Sequence, residues 1–283
     1  FKTVRFDEVT LEKNNITIEA LDLSELFDNV DKIKDDAKEV KDMMATYESY
    51  TDMSKVPPER KLYIAKTTVA ILDYVKQYNL DGVGIRCWNE FPAAKKISVC
   101  LIASYLNSIG ITTTCEVDIY NVLAMKALSL AVNAPATVMD WNNNYGDEAN
   151  KCILFHCGPM ATCMAEGKTE VQVHKMFEKS YGEGCSWGVN VGRLKQGPIT
   201  YASCKVENGK LIEAKVPKSP IPLFQTLEYM RSFLISKLGW SRTNLLPNIS
   251  GGFGFYDKEI VIQAGGYAKE SLAEDMDMLL KSM

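Results

Sequence analysis

The sequence predicts an α/β protein: a Rossmann-like parallel sheet flanked by helices over residues 1–168, then a smaller antiparallel, β-barrel-like unit with closing helices over residues 169–283. Three observations carry this prediction. Between residues 81 and 157 short, continuously apolar runs alternate with helix-period segments, the pattern of strands covered on both faces. After residue 170 the chain turns to short strands separated by turn residues, including an Asn208-Gly209 pair. The overall composition, 46% apolar and 24% charged, is that of a globular chain long enough for two domains.

The elements follow in order. NNITIEALDL (14–23) alternates as a strand, and Asp22 or Ser24 is placed to cap a helix entering LFDNV. Residues 28–50 are charged with apolar positions at helical spacing, which suits a solvent-facing helix. Pro57-Pro58 break the chain, and Leu62, Ile64, Ala65, Val69, Leu72 and Val75 then mark a long amphipathic helix over 59–78. DGVGIRCW (81–88) reads as a buried strand, and AAKKISVCLIASYLNSIG (93–110) as a helix stopped by Gly110. ITTTCEVD (111–118) reads as a strand and IYNVLAMKALSLAVN (119–133) as a helix with Asp118 as N-cap. ATVMDW (136–141) and KCILFHC (151–157) complete the expected parallel sheet. Further on, VQVHKMF, SWGVNVGRL and PITYASCKVENGKLIEAKV supply the β-rich unit, and helices are expected at 223–240 and 271–283.

Charge and composition exclude several functions. A net charge of −4 without a basic block offers no face for nucleic acid. No apolar run approaches the roughly 18 residues of a membrane span, and the polar first residues are not a signal peptide. Eight cysteines without a CxxC pair read as thiols of a reducing, cytoplasmic compartment.

Ligands of open parallel sheets bind beyond the carboxyl ends of the strands, where this scheme puts Arg86, Glu116, Asp140 and His156. Glu116 and Asp140 are 24 residues apart, the length of one helix plus its following strand. A right-handed crossover brings such positions to neighbouring strand ends. His156 lies 16 residues further, at the next strand end. Two carboxylates and an imidazole suit a divalent cation with open positions, Mn²⁺ or Mg²⁺ rather than structural zinc. The same residue types also serve as helix caps and solvated loop acids, which is the assignment for Asp118. Arg86 and Trp88 suit a sugar, one through charged hydrogen bonds and the other through its apolar face; Trp88 equally suits a core position.

GIRCWNEFP, CEVDIYNVLAMKAL, TVMDW and ILFHCGP, in that order, resemble the C-terminal part of the L-fucose isomerase and L-arabinose isomerase superfamily. The resemblance implies that Glu116, in its E-x-D context, and Asp140 bind a catalytic Mn²⁺, with His156 matching a histidine that arabinose isomerases use. It also implies a homo-oligomer, and an additional N-terminal α/β domain, or a separate N-terminal fragment, preceding Phe1. A further histidine ligand of the family has no counterpart in LPNISGGFGFYD (246–257), where Asn248 or Asp257 stands in its region; Asn248 is the candidate for substrate binding. The implied reaction is aldose–ketose isomerisation through an enediol. Glu116 would be the base and Asp140 the second acid/base group. Two alternatives remain open: a non-catalytic sugar-binding or assembly homologue, and a sugar-acid epimerase or lyase using the same metal site.

Overall fold

The computed structural model describes residues 4–207 and 209–213. The chain divides into two compact units, Phe1–Val216 and Pro217–Met283. The helices expected at 223–240 and 271–283, the GGFGF segment, Asn248 and Asp257 lie outside the described residues.

The first unit begins with helices α1 (Glu8–Lys13), α2 (Leu23–Lys32), α3 (Lys38–Tyr50) and α4 (Pro58–Gln77). Asp22 caps α2 as expected, its carboxylate accepting from Ser24 N–H at 2.7 Å. NNITIEALDL is not a strand, since among the described residues no strand pairs with 14–22 and Leu23 already opens α2. The single helix suggested over 28–50 is two, interrupted at 33–37. Tyr47, Val30, Val40 and Ile64 join α2, α3 and α4 in the main core, and the Tyr47 hydroxyl meets Thr68 Oγ1 at 2.7 Å inside it.

Strand β1 (Gly82–Ile85) pairs in parallel with β2 (Thr112–Cys115), in register Gly82↔Thr112 through Ile85↔Cys115. Between them, the helix expected over 93–110 is two pieces. A π-helical turn at Phe91–Lys95 ends at left-handed Lys96, and α5 (Cys100–Ser108) follows. The interruption lets Ile97 form a β-bridge with Trp187 while staying fully buried. Helix α6 (Ile119–Val132) packs on both strands, and Asp118 caps it, accepting from Asn121 N–H at 3.1 Å.

Beyond α6 the chain departs from the expected parallel order. Strands β3 (Asp140–Tyr145) and β4 (Glu148–Phe155) pair antiparallel with each other, Asp140 opposite Phe155 and Tyr145 opposite Glu148. The Gly146-Asp147 pair forms the turn, with Gly146 at φ +56°, and such a dipeptide favours a two-residue hairpin over a crossover. Asp140 therefore opens a hairpin rather than closing a parallel strand.

Strands β5 (Glu170–Val173) and β6 (Trp187–Val191) form a second antiparallel pair, with α7 (Lys175–Tyr181) between them where VQVHKMF read as strand throughout. This pair belongs with what precedes it: Asp52 bridges Glu170, and α5 packs on β6. Strands β7 (Cys204–Glu207) and β8 (Lys210–Glu213) make the hairpin that Asn208-Gly209 signals. No helix among the described residues is long and apolar enough to cross a membrane.

Helix α5 ties the parallel pair to the loop after β4. Asn107 is buried and bonded three ways: its Nδ2 donates to Thr113 O and to Pro159 O, both at 3.0 Å, and its Oδ1 accepts from Thr113 N–H at 2.7 Å. One turn earlier, Ser104 Oγ donates to Met160 O at 2.5 Å and accepts from Asn190 Nδ2 at 3.0 Å. Two buried side chains thus fix where the chain emerges after His156.

Candidate active site

Strand β2 is fully buried from Thr112 to Cys115, and the chain then reverses its backbone hand. Glu116 (φ +62°) and Val117 (φ +59°) both lie in the left-handed region. That conformation is uncommon for any residue with a Cβ and is an outlier for a β-branched one, so neighbouring contacts must hold it. Val117 N–H donates to Ile85 O at 3.3 Å, Asp118 N–H to Cys115 O at 3.2 Å, and Thr114 Oγ1 to Asp118 O at 3.0 Å. Gly84 makes room for the turn: a Cβ there would lie 2.9 Å from Ile119 Cδ1 and 3.3 Å from Val117 Cα. The result aims the Glu116 carboxylate out of the strand mouth into a cleft.

Trp88 meets it there. Its indole Nε1–H donates to Glu116 Oε1 at 3.0 Å, while its ring packs edge-on against Phe177, centroids 5.0 Å apart. Trp88 thus packs beside the core and also lines the cleft. The cleft has a volume of about 540 Å³, and its lining includes Arg5, Phe6, Arg86, Trp88, Glu116 and Val117. Arg86 pairs with Glu90 at 2.6 Å and is largely exposed.

Asp140 and His156 come from the two ends of the β3–β4 hairpin. The His156 side chain is 9% exposed and that of Asp140 68%, with Nε2 and Oδ2 4.0 Å apart. Gly158, at φ +104°, fixes the chain just beyond: a Cβ there would lie 2.5 Å from the carbonyl oxygen of Asn190. In the neutral ring Nδ1 accepts from Cys157 N–H at 2.9 Å, which leaves the ring proton on Nε2, toward Asp140. Once the ring is protonated, Nδ1–H faces Cys157 Sγ at 3.3 Å instead.

The three groups act on one another electrostatically. Burial raises the pKa of Glu116 above the usual carboxylate value and the charge of Asp140 adds to this, while the Trp88 hydrogen bond and His156 oppose it. Partial burial likewise raises Asp140, against the pull of His156. For His156, burial disfavours the charged ring, but the Cys157 side chain and the two carboxylates outweigh it and push the pKa to about 9. The structure therefore brings Glu116, Asp140 and His156 within electrostatic reach, with Trp88 in direct contact and Arg86 on the shared cleft.

One feature has no counterpart among the sequence-derived site residues. Behind His156, Cys157 Sγ lies 3.4 Å from Cys100 Sγ and 3.8 Å from Cys115 Sγ. Contacts from those two thiols, together with His156, hold the Cys157 thiol far below its ordinary pKa, while Cys100 and Cys115 are raised. Each of the three cysteines follows or opens a regular element, but their spacing of 15 and 42 residues matches no familiar cysteine motif.

No family model matches the chain. Over 130 residues it is 26% identical to the sulfoquinovose isomerase of Alkalicoccus urumqiensis, and 23% identical to those of Priestia aryabhattai and Priestia megaterium. Each match covers 46% of this chain and 29% of the relative, so the chain spans under a third of the length of these curated relatives.

Proposed function

We propose that this chain carries catalytic carboxylates of an aldose–ketose isomerase whose substrate is a sulfonated aldose of the sulfoquinovose type. The observation that carries the reading is the Glu116 carboxylate, held out of a buried strand by a left-handed turn and bound by Trp88, with protonation favoured by burial. The similarity to three sulfoquinovose isomerases supports the reaction class. An L-fucose/L-arabinose isomerase ancestry, with Mn²⁺ or Mg²⁺ and a homo-oligomeric assembly, belongs to the same proposal.

The donor set suits a hard divalent cation. The charge of Asp140 raises the proton affinity of Glu116, a repulsion that a cation between them would relieve, and oxygen donors favour Mn²⁺ or Mg²⁺. Such an ion would supply Lewis-acid stabilisation of the oxyanion that develops as C2 loses its proton. Glu116 takes the C2 proton of the open-chain aldose and returns it to C1 of the enediol, which yields the ketose with no change in atom count. A carboxyl group with a raised pKa suits both halves of that transfer. Asp140, whose Oδ2 lies 4.0 Å from the Nε2 of His156, would serve as second acid/base. Arg5 and Arg86 place two guanidinium groups on the cleft that Glu116 enters, the chemistry that an anionic sugar substituent needs.

The test is to incubate the full-length protein with sulfoquinovose and Mn²⁺ in deuterated water and follow the sugars by NMR. A ketose product with deuterium at C1, and its loss in Glu116→Gln, are expected. Sugar recovered unaltered, or inverted at C2 as an aldose, would overturn the reading.

A further inference from the structure

We propose that Cys115, Cys157 and the Nδ1 of His156 form a three-donor binding site for a soft divalent cation of the Zn²⁺ type. One ligand atom from each of Cys115, Cys157 and His156 falls within 4.8 Å of the others. The printed separations suit a tetrahedral ion. A Zn–S bond of about 2.3 Å puts two ligand sulfurs roughly 3.8 Å apart and a sulfur and a nitrogen somewhat closer. Cys115 and Cys157 are 3.8 Å apart, and His156 Nδ1 is 3.3 Å from Cys157 Sγ. Cys100 Sγ, at 3.4 Å from Cys157 Sγ, borders this set, and the fourth position of the ion is left to water or another ligand.

The donors and the neighbouring Cys100 come from elements that the fold already holds rigid. Cys115 ends β2, Cys100 opens α5, and Cys157 follows β4 in the loop fixed by Asn107 and Ser104. Cys100 and Cys115 are almost fully buried, whereas Cys157 is partly exposed and gives an ion its route in. In the neutral ring the Nδ1 lone pair is on the sulfur side, where an ion would replace the Cys157 N–H as its partner, and Nε2–H is turned toward a carboxylate, Asp140. Soft thiolate donors exclude Mn²⁺ and Mg²⁺ from this set, so the sulfur site is chemically separate from the proposed carboxylate site although the two share one imidazole.

Cobalt(II) added to the chelator-treated, full-length protein tests this directly. An intense near-ultraviolet thiolate-to-cobalt band should saturate at one ion per chain, and added zinc should abolish it. Zinc should also protect the same thiols from alkylation by a maleimide. Cys115→Ser and Cys157→Ser should each lose the band and weaken zinc by about tenfold or more, whereas Glu116→Gln should retain it. Absence of the band in the unsubstituted protein, a measurement independent of how the variants fold, would overturn the proposal; so would a band lost with Glu116→Gln. Isomerase activity is read in neither arm, so failure of the isomerase reading leaves this result standing.

Discussion

The two carboxylates of the site are held in opposite ways. Glu116 grows directly from a strand whose four residues are buried, and its backbone is locked in a left-handed turn with an indole on its oxygen. Asp140 opens a hairpin on which Trp141, Tyr145 and Phe155 are exposed, and its own carboxylate is 68% exposed. The first group is preorganised by the core, while the second depends on the pairing of β3 with β4 and on the anchored loop behind His156. A transition-state interaction gains most from groups that need no reorganisation, so the rigid carboxylate should carry the larger share of catalysis.

Substituting each acid alone measures that asymmetry. Glu116→Gln is expected to lower turnover of sulfoquinovose by about 10³-fold or more, the loss of a base and a cation ligand together. Asp140→Asn should cost less, about 10- to 100-fold, as for a supporting group. Equal losses, or a larger one at Asp140, would reverse the comparison.

Asn107 is where the two halves are joined. Asn107→Ala would leave the Thr113 N–H and C=O and the Pro159 C=O without this partner in a buried setting. Stranded polar groups cost about 1–3 kcal/mol each before relaxation, so a loss of about 3 kcal/mol in denaturant-induced unfolding is expected. The Mn²⁺ affinity of the surviving fold should also fall, because the His156 side of the site loses its tether to β2. A stability loss with unchanged affinity would mean that the two halves hold their positions independently.

How far the sequence revealed this arrangement follows the same division. The run from β1 through α6 was legible because buried parallel strands read as unbroken apolar or threonine stretches, and Asp118 stands where an N-cap must. The 24-residue spacing of Glu116 and Asp140 implies a crossover between parallel strands, whereas Asp140 opens an antiparallel hairpin, so that spacing does not account for its position. The apolar residues of ATVMDW suggest a buried parallel strand, but the Gly146-Asp147 turn dictates a hairpin instead. The split of 93–110 was not legible, since the cause is a long-range bridge from Ile97 to Trp187. The thiol cluster was invisible for a related reason: Cys100, Cys115 and Cys157 share a site through packing, and no local spacing encodes that.

Trp88→Phe probes the rigid side more gently. Phenylalanine keeps an aromatic edge against Phe177 but removes the N–H that favours the ionised Glu116. The Glu116 pKa, already raised by burial, should rise further with the loss of a hydrogen bond to its charged form. With Glu116 as the proposed base, the acid limb of the pH–rate profile should move to higher pH, with plateau activity largely kept. Stability follows the sign for a raised group: the contribution is full below the unfolded pKa and fades as pH rises through the folded one. For His156 that window runs from its ordinary 6.5 to about 9, so His156→Ala should flatten the decline in stability over that range.

The smallest expected effect concerns Asp118, two residues from Glu116 and also an acid at the strand mouth. Its carboxylate accepts from Asn121 N–H at 3.1 Å and from Asn121 Nδ2 at 2.6 Å, so it is engaged in capping α6. Asparagine caps about as well as aspartate, and alanine does not. Asp118→Asn should therefore preserve both thermal stability and cation affinity, while Asp118→Ala should lose about 1 kcal/mol of stability. If Asp118→Asn instead abolished Mn²⁺ binding, the charge rather than the cap would matter. The rigid half of the site would then contain two carboxylate ligands, and the contrast with Asp140 would rest on ligand number instead of preorganisation.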